Sequence, residues 1–381
     1  NPGKKVVIIE KNKDVLGKVR VSGGGRCNVT HACFEPRDLV QFYPRGAKEL
    51  LGPFTRFGPT ETINWFESRG VQINRESDGR MFPVSDSSQT IIDCLLKACK
   101  QADISIWTSC GMQDFEFPKE EGGTYMLQLL DGQKIVTSKL ALCTGSSQSI
   151  WNKMSEKGYK LKAPVSSLFT FNFPKDPISK LMGLSVPNAN VALEGTKLSY
   201  QGPLLITHWG ISGPAVLKLS AWGAEYLATC KYQCQVIVNW FPAETINSIE
   251  ALFSDWLQQN LKKQAGTMVF GDFPKRLWSY FLAKSAIPEE LVWAQLNKKQ
   301  RIMLLEILVR SRFTMNGKTT FKEEFVTAGG IELSQIDFKN FQSKLHPGLF
   351  FGGEMLNIDG ITGGFNFQAA WTAGFLIDNN A

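Results

Sequence analysis

The chain has 381 residues and a mass of 42.5 kDa, which predicts two or three domains at about 150 residues per domain. Hydrophobic residues make up 43% and charged residues 20% of the sequence, so a disordered or collagen-like chain is excluded. The net charge of +7 is mild for this length, and the basic residues form no long runs, so we do not expect a nucleic-acid partner.

Eight cysteines are too few for a disulfide scaffold in a chain of this length. No signal-peptide pattern opens the sequence, and no apolar stretch approaches the ~20 residues of a membrane-spanning helix. We therefore expect a reduced, cytoplasmic protein without a membrane partner, and the oligomeric state stays open.

The first part of the chain alternates short apolar runs with helical segments. Residues 4–10 form an apolar run of the kind found in buried parallel strands. Residues 37–100 are predicted to be largely helical, with a loop at 78–83. Further strands are predicted at 103–113, 124–131 and 139–143. This order predicts an α/β fold.

The pattern changes near residue 165. Strand-like runs broken by Gly and Pro predict a small β-barrel-like domain over 165–243. Helical periodicity, for example over 298–312, predicts a helical domain at 244–324. Strands and glycine loops return in 325–381, with a helix at 363–376. We predict one discontinuous nucleotide-binding domain, made of residues 1–164 and 325–381, with two domains inserted in it.

Glu10 ends the first apolar run, where an acid in dinucleotide-binding units accepts hydrogen bonds from the adenosine ribose. The glycine fingerprint lies about 20 residues before that acid. We therefore expect a first strand and its glycine turn before residue 1, absent from this sequence. The alternative is that Glu10 is a solvated strand end.

The second feature is the glycine triplet Gly23-Gly24-Gly25, followed by Arg26. Glycines let backbone N–H groups approach a phosphate or a ring edge closely, and the arginine can add a charge-assisted contact. Ordinary turns use the same residues, so the triplet alone leaves both interpretations open.

The third feature is the glycine-rich loop that follows the strand near residue 350. Glu354 and Asp359 can accept hydrogen bonds from sugar or ribityl hydroxyls. Gly363 and Gly364 open the last helix, whose N-terminus suits the N1–C2=O edge of a flavin, which becomes negative on reduction.

Together these segments resemble the flavoprotein family labelled aminoacetone-oxidase-type or NAD(P)/FAD-dependent oxidoreductase, which has a glutathione-reductase-like Rossmann fold. The resemblance spans essentially the whole chain. It rests on VRVSGGGRCNVTH at 19–31, DGRMFPVSD at 78–86, ITHWGISGPAVLKLS at 206–220, VTAGGIELSQID at 326–337 and SKLHPGLFFGGEMLNIDGITGGFNFQAAWTAGF at 343–375.

The resemblance implies FAD as the cofactor and a set of residues that bind it. These are Glu10, Ser22, Gly23, Gly24, Gly25, Arg26, Cys27, Asn28, Met112, Thr144, Gly145, Gly353, Glu354, Asp359, Gly363, Gly364, Phe365 and Asn366. The sequence departs from the family pattern after Thr144. It also has no second G-x-G-x-x-G, so NAD(P)H is expected only as a candidate transient electron donor.

Two residues are candidates for catalysis. His208, in a Gly-containing loop, can exchange a proton beside a flavin, although a structural loop is the alternative. Cys27 can form a thiolate beside the flavin. No metal is expected at Cys27, His31 and Cys33, whose spacing matches no zinc pattern. The Cys-x3-Cys spacing of Cys230 and Cys234 does not predict a redox-active disulfide.

The resemblance implies an FAD-dependent oxidoreductase acting on a small amine or carbonyl-type substrate. Two alternatives stay open: a flavin-dependent tRNA-modifying enzyme, and a nucleotide-binding protein without catalysis.

Overall fold

The computed structural model describes residues 5–120, 122–319 and 326–378. Its helices are α1 (Gly17–Gly25), α2 (Pro36–Leu39), α3 (Ala47–Phe54), α4 (Pro59–Glu67), α5 (Ser88–Gln101), α6 (Gln148–Glu156), α7 (Pro214–Trp222), α8 (Ala224–Thr229), α9 (Ile246–Asn260), α10 (Lys275–Lys284), α11 (Lys298–Arg310) and α12 (Phe365–Asp378). In the part of the chain that is described, no helix is both long and apolar enough to cross a membrane.

The strands are short and spread over the whole chain. They are β1 (Val7–Ile9), β2 (Thr30–His31), β3 (Ile73–Arg75), β4 (Arg80–Pro83), β5 (Ser105–Trp107), β6 (Met112–Glu116), β7 (Tyr125–Leu129), β8 (Lys134–Thr137), β9 (Leu140–Leu142), β10 (Leu161–Ser167), β11 (Thr170–Asn172), β12 (Ser185–Leu193), β13 (Ser199–Ile206), β14 (Gly210–Ser212), β15 (Gln233–Asn239), β16 (Ser311–Asn316), β17 (Lys318–Thr319), β18 (Val326–Ile331), β19 (Ile336–Asp337), β20 (Gln342–Ser343) and β21 (Leu349–Phe351).

The chain divides into two compact units. Unit 1 consists of Asn1–Val165 and Lys322–Ala381, and unit 2 of Ser166–Phe321. The predicted further division of the middle segment at residues 243 and 244 has no counterpart in this partition. One hydrophobic cluster contains buried residues from both sides of that point, for example Val238 and Ile249, so the β and helical parts share a core.

Unit 1 contains two parallel strand pairs, which is the arrangement expected of an α/β nucleotide-binding fold. Strand β1 pairs with β5 in a two-stranded sheet, and β9 pairs with β21 in a separate four-stranded sheet, where the first and last parts of the chain meet. The carboxyl ends of β1, β9 and β21 lead directly to Glu10, to Cys143-Thr144-Gly145 and to Gly352-Gly353. Ligands of open α/β sheets bind at the carboxyl ends of the strands.

One strand prediction and one loop prediction in unit 1 were wrong in detail. The predicted strand 103–113 is broken between β5 and β6. Ser109 donates its backbone N–H to Asn12 O (2.8 Å) and Cys110 donates to Glu10 O (2.9 Å), so the chain turns toward the end of β1. The predicted loop 78–83 contains β4, because Met81 pairs with Thr30 on one side and Arg75 on the other.

Unit 2 combines a sheet of seven strands with helices α7–α11. The sheet order is β16-β15-β12-β13-β14-β11-β17. Helix α11 ends at Arg310, and the predicted extension to residue 312 was wrong. From Ser311 the residues alternate between buried and exposed, and they pair with β15, which favours a strand over another helical turn.

Candidate functional site

Three glycine-containing loops of unit 1 converge. They are the segment 22–28 at the end of α1, the segment 143–147 after β9, and the segment 352–364 between β21 and α12. Thr144 contacts Met355, with 2.9 Å between Oγ1 and Sδ. Lys18, on α1, acts electrostatically on the carboxyl of Glu354. The structure therefore brings together most of the predicted cofactor residues, which lie far apart in sequence.

Four of the predicted glycines border open space. A Cβ atom added to Gly24, Gly25 or Gly353 would meet no other atom within 4 Å, and one on Gly145 would meet only Glu354, at 3.9 Å. Their φ angles lie between +61° and +85°, the left-handed region that favours glycine. Bare left-handed backbone of this kind forms a cradle that phosphate or ring atoms can approach closely. The loops therefore fit a dinucleotide cofactor.

The other three predicted glycines are required by packing within the protein. A Cβ on Gly23 would lie 2.9 Å from the Phe82 ring, and one on Gly364 would lie 2.6 Å from Thr30 O. On Gly363 it would lie 2.6 Å from the ring of Phe365. For these positions internal contacts explain the glycine without a bound group.

Two amide side chains hold the start of α12. With the amide of Asn28 oriented to donate to Thr30 O (3.0 Å), its oxygen accepts from Gly364 N (2.9 Å). Asn366 accepts from Gly360 N and donates to Gly360 O, both at 2.8 Å. Both residues, predicted as cofactor ligands, use their side chains to fix the loop from which the helix begins.

Phe365 is buried rather than exposed to the site. Its ring stacks on His31 and Phe42, with centroids 4.7 and 4.4 Å apart. Tyr43 donates its hydroxyl to Phe365 O at 2.6 Å. Sequence analysis missed this aromatic cluster, since the three partners show no regular spacing with residue 365.

Asp359 is fully buried, and its two carboxylate oxygens accept hydrogen bonds from Nε and Nη2 of Arg45. Its predicted role as a sugar ligand therefore competes with a bidentate ion pair. Sequence analysis missed Arg45 as the partner of Asp359. It lies 314 positions away, and no local pattern connects it with Asp359.

Glu354 lies on the same loop as Asp359 but in a different environment. Burial raises the pKa of its carboxyl, and the negative charge of Asp359 adds to this, while Lys18 and a hydrogen bond with Ser146 oppose it. Glu354 therefore takes up a proton more readily than an exposed glutamate does.

The charge of Arg26 is balanced within the protein. Its guanidinium forms ion pairs with Glu76 and Asp86, both at 2.7 Å, and lies 4.0 Å above the ring of Phe82. Its predicted contact with a cofactor phosphate would have to compete with these two carboxylates.

Glu10 lies at the end of β1, and Met112 lies at the start of β6. The Glu10 carboxylate accepts from Asn12 N (2.8 Å), and its backbone carbonyl accepts from Cys110 N (2.9 Å). Met112 opens β6 opposite Leu129. Their roles in binding ribose and adenine stay predictions.

The two candidate catalytic residues lie in different units. Cys27 is fully buried in unit 1, and burial raises the pKa of its thiol to about 11, which favours a protonated packing residue over a thiolate. His208 is exposed in unit 2, in the turn between β13 and β14, where Thr207 N donates to Gly210 O (2.9 Å). Their catalytic roles stay predictions.

No group of three or more His, Cys, Asp or Glu residues able to hold a metal ion occurs among the described residues.

The sequence matches the family model described as HI0933-like protein Rossmann domain over residues 1–380. It is 26% identical to a ribosomal RNA dihydrouridine synthase of Escherichia coli (strain K12), over 97% of this chain and 90% of that protein. It is 25% identical to a 3-dehydro-bile acid delta(4,6)-reductase of Clostridium scindens, over 97% of this chain and 91% of that protein.

A structure of 3-ketosteroid delta1-dehydrogenase from Sterolibacterium denitrificans is similar, with a TM-score of 0.49 and 11% identity, over 99% of this chain and 94% of that one.

The chain belongs to the HI0933-like family of Rossmann-domain proteins. This confirms the predicted Rossmann-type α/β fold. The predicted oxidoreductase class agrees with the names of the two relatives, one a reductase and the other a dihydrouridine synthase.

The Arg45–Asp359 pair yields a stability prediction. Asp359→Asn removes one charge and leaves the guanidinium of Arg45 largely buried without its counter-ion, and we expect a loss of about 3–5 kcal/mol in the free energy of unfolding. Asp93→Asn, at an exposed position of α5, is the matched control, and we expect a change within about 0.5 kcal/mol. Urea denaturation followed by circular dichroism measures both, and equal stability of the two variants would contradict the prediction.

Proposed function

We propose that this protein is an FAD-dependent reductase that saturates a carbon–carbon double bond conjugated with a carbonyl group. The observation that carries the proposal is the cradle of left-handed glycines, Gly24, Gly25, Gly145 and Gly353, which border open space; a Cβ on Gly145 would lie 3.9 Å from Glu354. Gly145 and Gly353 supply bare backbone after the carboxyl ends of β9 and β21, where α/β folds bind dinucleotides.

FAD, when bound and reduced, would supply two electrons and a proton as a hydride equivalent. The chain's own residues would bind and orient it. Gly24 and Gly25 offer backbone at the end of α1, and Gly145 and Gly353 offer it after β9 and β21. The start of α12, held by Asn28, places a positive helix end in the same region, which favours a group that becomes negative on reduction.

Glu354 is the residue of the cradle that can hold a proton. Burial of its carboxyl, together with the negative charge of Asp359, keeps its pKa raised. A carboxyl of this kind can donate a hydrogen bond to a group that gains negative charge, and this supports its predicted place among the cofactor contacts.

The substrate class rests on the names of two relatives. The name of one describes the formation of dihydrouridine in ribosomal RNA, and that of the other the reduction of a bile acid with an oxo group at position 3. In both cases the double bond that is saturated is conjugated with a carbonyl. This supports the carbonyl-type substrate predicted from sequence over the amine.

Cofactor binding through the cradle is tested by Gly24→Asn in the whole protein. Asparagine tolerates the left-handed backbone at φ +69°, so the fold is kept, but its side chain fills the open space. We expect the FAD content per chain to fall at least about tenfold, because close approach to the backbone is lost. Gly70→Asn is the matched control, since Gly70 has φ +85° and also has no neighbour within 4 Å.

Each variant is dialysed against FAD, and the absorbance of the protein-bound flavin is then measured. Equal flavin content in the Gly24 and Gly70 variants would contradict the assignment of the cradle to the cofactor.

The reaction is tested by mixing the photoreduced holoenzyme anaerobically with three substrate classes: a cyclic enone, a primary amine and a uridine-containing RNA. We expect the enone to return the flavin spectrum to the oxidised form with formation of the saturated ketone. Reduction of the oxidised enzyme by the amine instead would favour an amine oxidase. If only the RNA, of the three substrates, reoxidises the flavin, the second candidate function is favoured.

That second candidate, reduction of a base in RNA, is favoured by the distribution of charge. Unit 2 contains 16 Lys and Arg against ten Asp and Glu, a net charge of +6, whereas unit 1 has 26 against 25. Four exposed lysines, Lys262, Lys263, Lys298 and Lys299, flank a segment where Trp293 N donates to Lys263 O (3.0 Å).

If unit 2 binds RNA, the logarithm of the RNA affinity falls linearly with the logarithm of the salt concentration. Changing these four lysines to Gln makes that slope shallower by roughly 0.7–0.9 for each lysine that pairs with an RNA phosphate. Lys97→Gln with Lys100→Gln on α5 of unit 1 is the control and leaves the slope unchanged. Fluorescence anisotropy at several salt concentrations measures the slopes, and no change in the fourfold variant would count against this candidate.

A further inference from the structure

A chain of hydrogen bonds that includes His346 closes the loop before β21. The hydroxyl oxygen of Tyr159 lies 2.5 Å from Ser343 Oγ and 2.9 Å from His346 Nδ1. Ser343 and Tyr159 are almost fully buried, and His346 is half-buried. We call Ser343, Tyr159 and His346 the clasp. All three residues belong to unit 1, and none of them is part of the glycine cradle.

The donors and acceptors of the clasp fix its direction. Ser343 Oγ accepts from Leu345 N (3.0 Å) and from His346 N (3.1 Å), so both of its lone pairs are used. Its hydroxyl hydrogen is therefore donated to the Tyr159 oxygen. Burial raises the pKa of Tyr159 to about 12, so the phenol stays protonated and donates to His346 Nδ1. The clasp is complete only when Nδ1 carries no proton.

The surroundings of the His346 ring favour this neutral form. The ring stacks on Phe117, with centroids 3.7 Å apart and planes inclined by 3°, and burial lowers the pKa of His346. The charged group that approaches from α6 is Lys157, whose Nζ lies 5.8 Å from the centre of the Phe117 ring. That lysine pairs with Asp114 of β6, with 3.2 Å between Nζ and Oδ1.

Two other side chains fasten the same loop without using Nδ1 of His346. Tyr125 of β7 donates its hydroxyl to Pro347 O at 2.7 Å. Lys344 donates its ammonium to Ser334 O at 2.9 Å. Neither bond requires a particular protonation state of the imidazole, so these contacts separate simple anchoring of the loop from a response to pH.

The clasp lies against the start of β21. The Tyr159 ring packs edge-on against Phe351 of that strand, with centroids 5.4 Å apart. Gly348 O, one residue before the strand, accepts from Leu140 N of β9 at 2.9 Å. Strand β21 then leads directly to Gly353 of the cradle. A change in the clasp therefore reaches the cradle through a single short strand.

We propose that the clasp is a pH-sensitive device: a proton taken up by His346 opens it, loosens the start of β21 and so weakens the retention of the cofactor at Gly353. Once Nδ1 is protonated it can no longer accept, and one hydroxyl hydrogen of Tyr159 or Ser343 loses its acceptor. The effect on the cofactor rests on the proposed function, whereas the opening of the clasp does not.

The sign of the pH dependence follows from the lowered pKa of His346 in the folded protein. The unfolded chain binds this proton more readily than the folded chain does. The stabilisation by the clasp is therefore fully present above the ordinary histidine pKa of about 6.5, and it is lost as the pH falls from there through the lowered value.

The first test is an NMR titration of isotope-labelled histidines in the whole protein, which contains three of them. The His346 signal is the one absent from His346→Asn. We expect Tyr159→Phe to raise the proton affinity of His346 roughly three- to tenfold, the equivalent of one hydrogen bond. Tyr125→Phe is the matched control, because it removes a hydroxyl from the same loop and leaves that affinity unchanged. Identical titration of His346 in the two variants overturns the proposal.

The second test is hydrogen–deuterium exchange of residues 344–353, corrected for the intrinsic effect of pH. In the unmodified protein we expect exchange to be roughly three- to tenfold faster at pH about 5 than at pH about 7.5, on the two sides of the histidine range. His346→Asn keeps an oxygen that can accept from Tyr159 but does not titrate, so it should show no such increase. The proposal fails if the corrected rates of the unmodified protein are equal, or if His346→Asn shows the same increase.

The link to the cofactor is measured by the release of bound FAD at the same two pH values. We expect faster release on the acid side from the unmodified protein and no acceleration in His346→Asn. Equal acceleration in both proteins contradicts the link to the cradle. A protein that holds no flavin at either pH contradicts the proposed function instead, and the titration and the exchange rates then decide whether the clasp responds to pH.

Discussion

The ion pair between Arg45 and Asp359 is the interaction on which the architecture of the site depends. It joins an early loop to the loop that follows β21, 314 residues later, and Asp359 is completely buried there. Burying a carboxylate without a counter-ion would strongly destabilise the fold. The loop that follows β21 is therefore held at the position where Asp359 meets Arg45. The glycines before and after Asp359 are thereby held at a defined position next to the first part of the chain.

The position of α12 likewise depends on contacts between the first and last parts of unit 1. Gln368 accepts hydrogen bonds from the hydroxyls of Thr30 (2.6 Å) and Thr62 (3.0 Å), and Trp371 donates to Val29 O (2.9 Å). Each of these polar groups is buried or half-buried, and each is satisfied by a residue more than 300 positions away. A helix N-terminus anchored in this way is already oriented before any ligand binds, so binding does not have to order it.

The sequence predicted what depends on local pattern. The strand ends, the glycine loops and the last helix follow from apolar periodicity and from the backbone freedom of glycine. The break after β5 could not be predicted, because it is made by backbone bonds to Glu10 and Asn12, nearly 100 residues earlier. Arg45 and the ring stack on Phe365 are long-range contacts of the same kind. Sequence analysis also could not separate glycines required by packing, such as Gly364, from those that border open space, such as Gly24.

Glu354 and Asp359, five residues apart on one loop, show how the fold gives two carboxylates different properties. Arg45 binds both oxygens of Asp359, which favours the ionised form. Burial, together with that fixed negative charge, raises the pKa of Glu354. As pH rises through this raised pKa, Glu354 loses its proton and a second negative charge appears beside the first, so the loop becomes less stable at higher pH. A group that accepts a hydrogen bond from protonated Glu354 stabilises this neutral form and is therefore favoured at the glycine cradle. The ion pair thus fixes the position of the loop and also sets the protonation of the carboxyl that borders the open space.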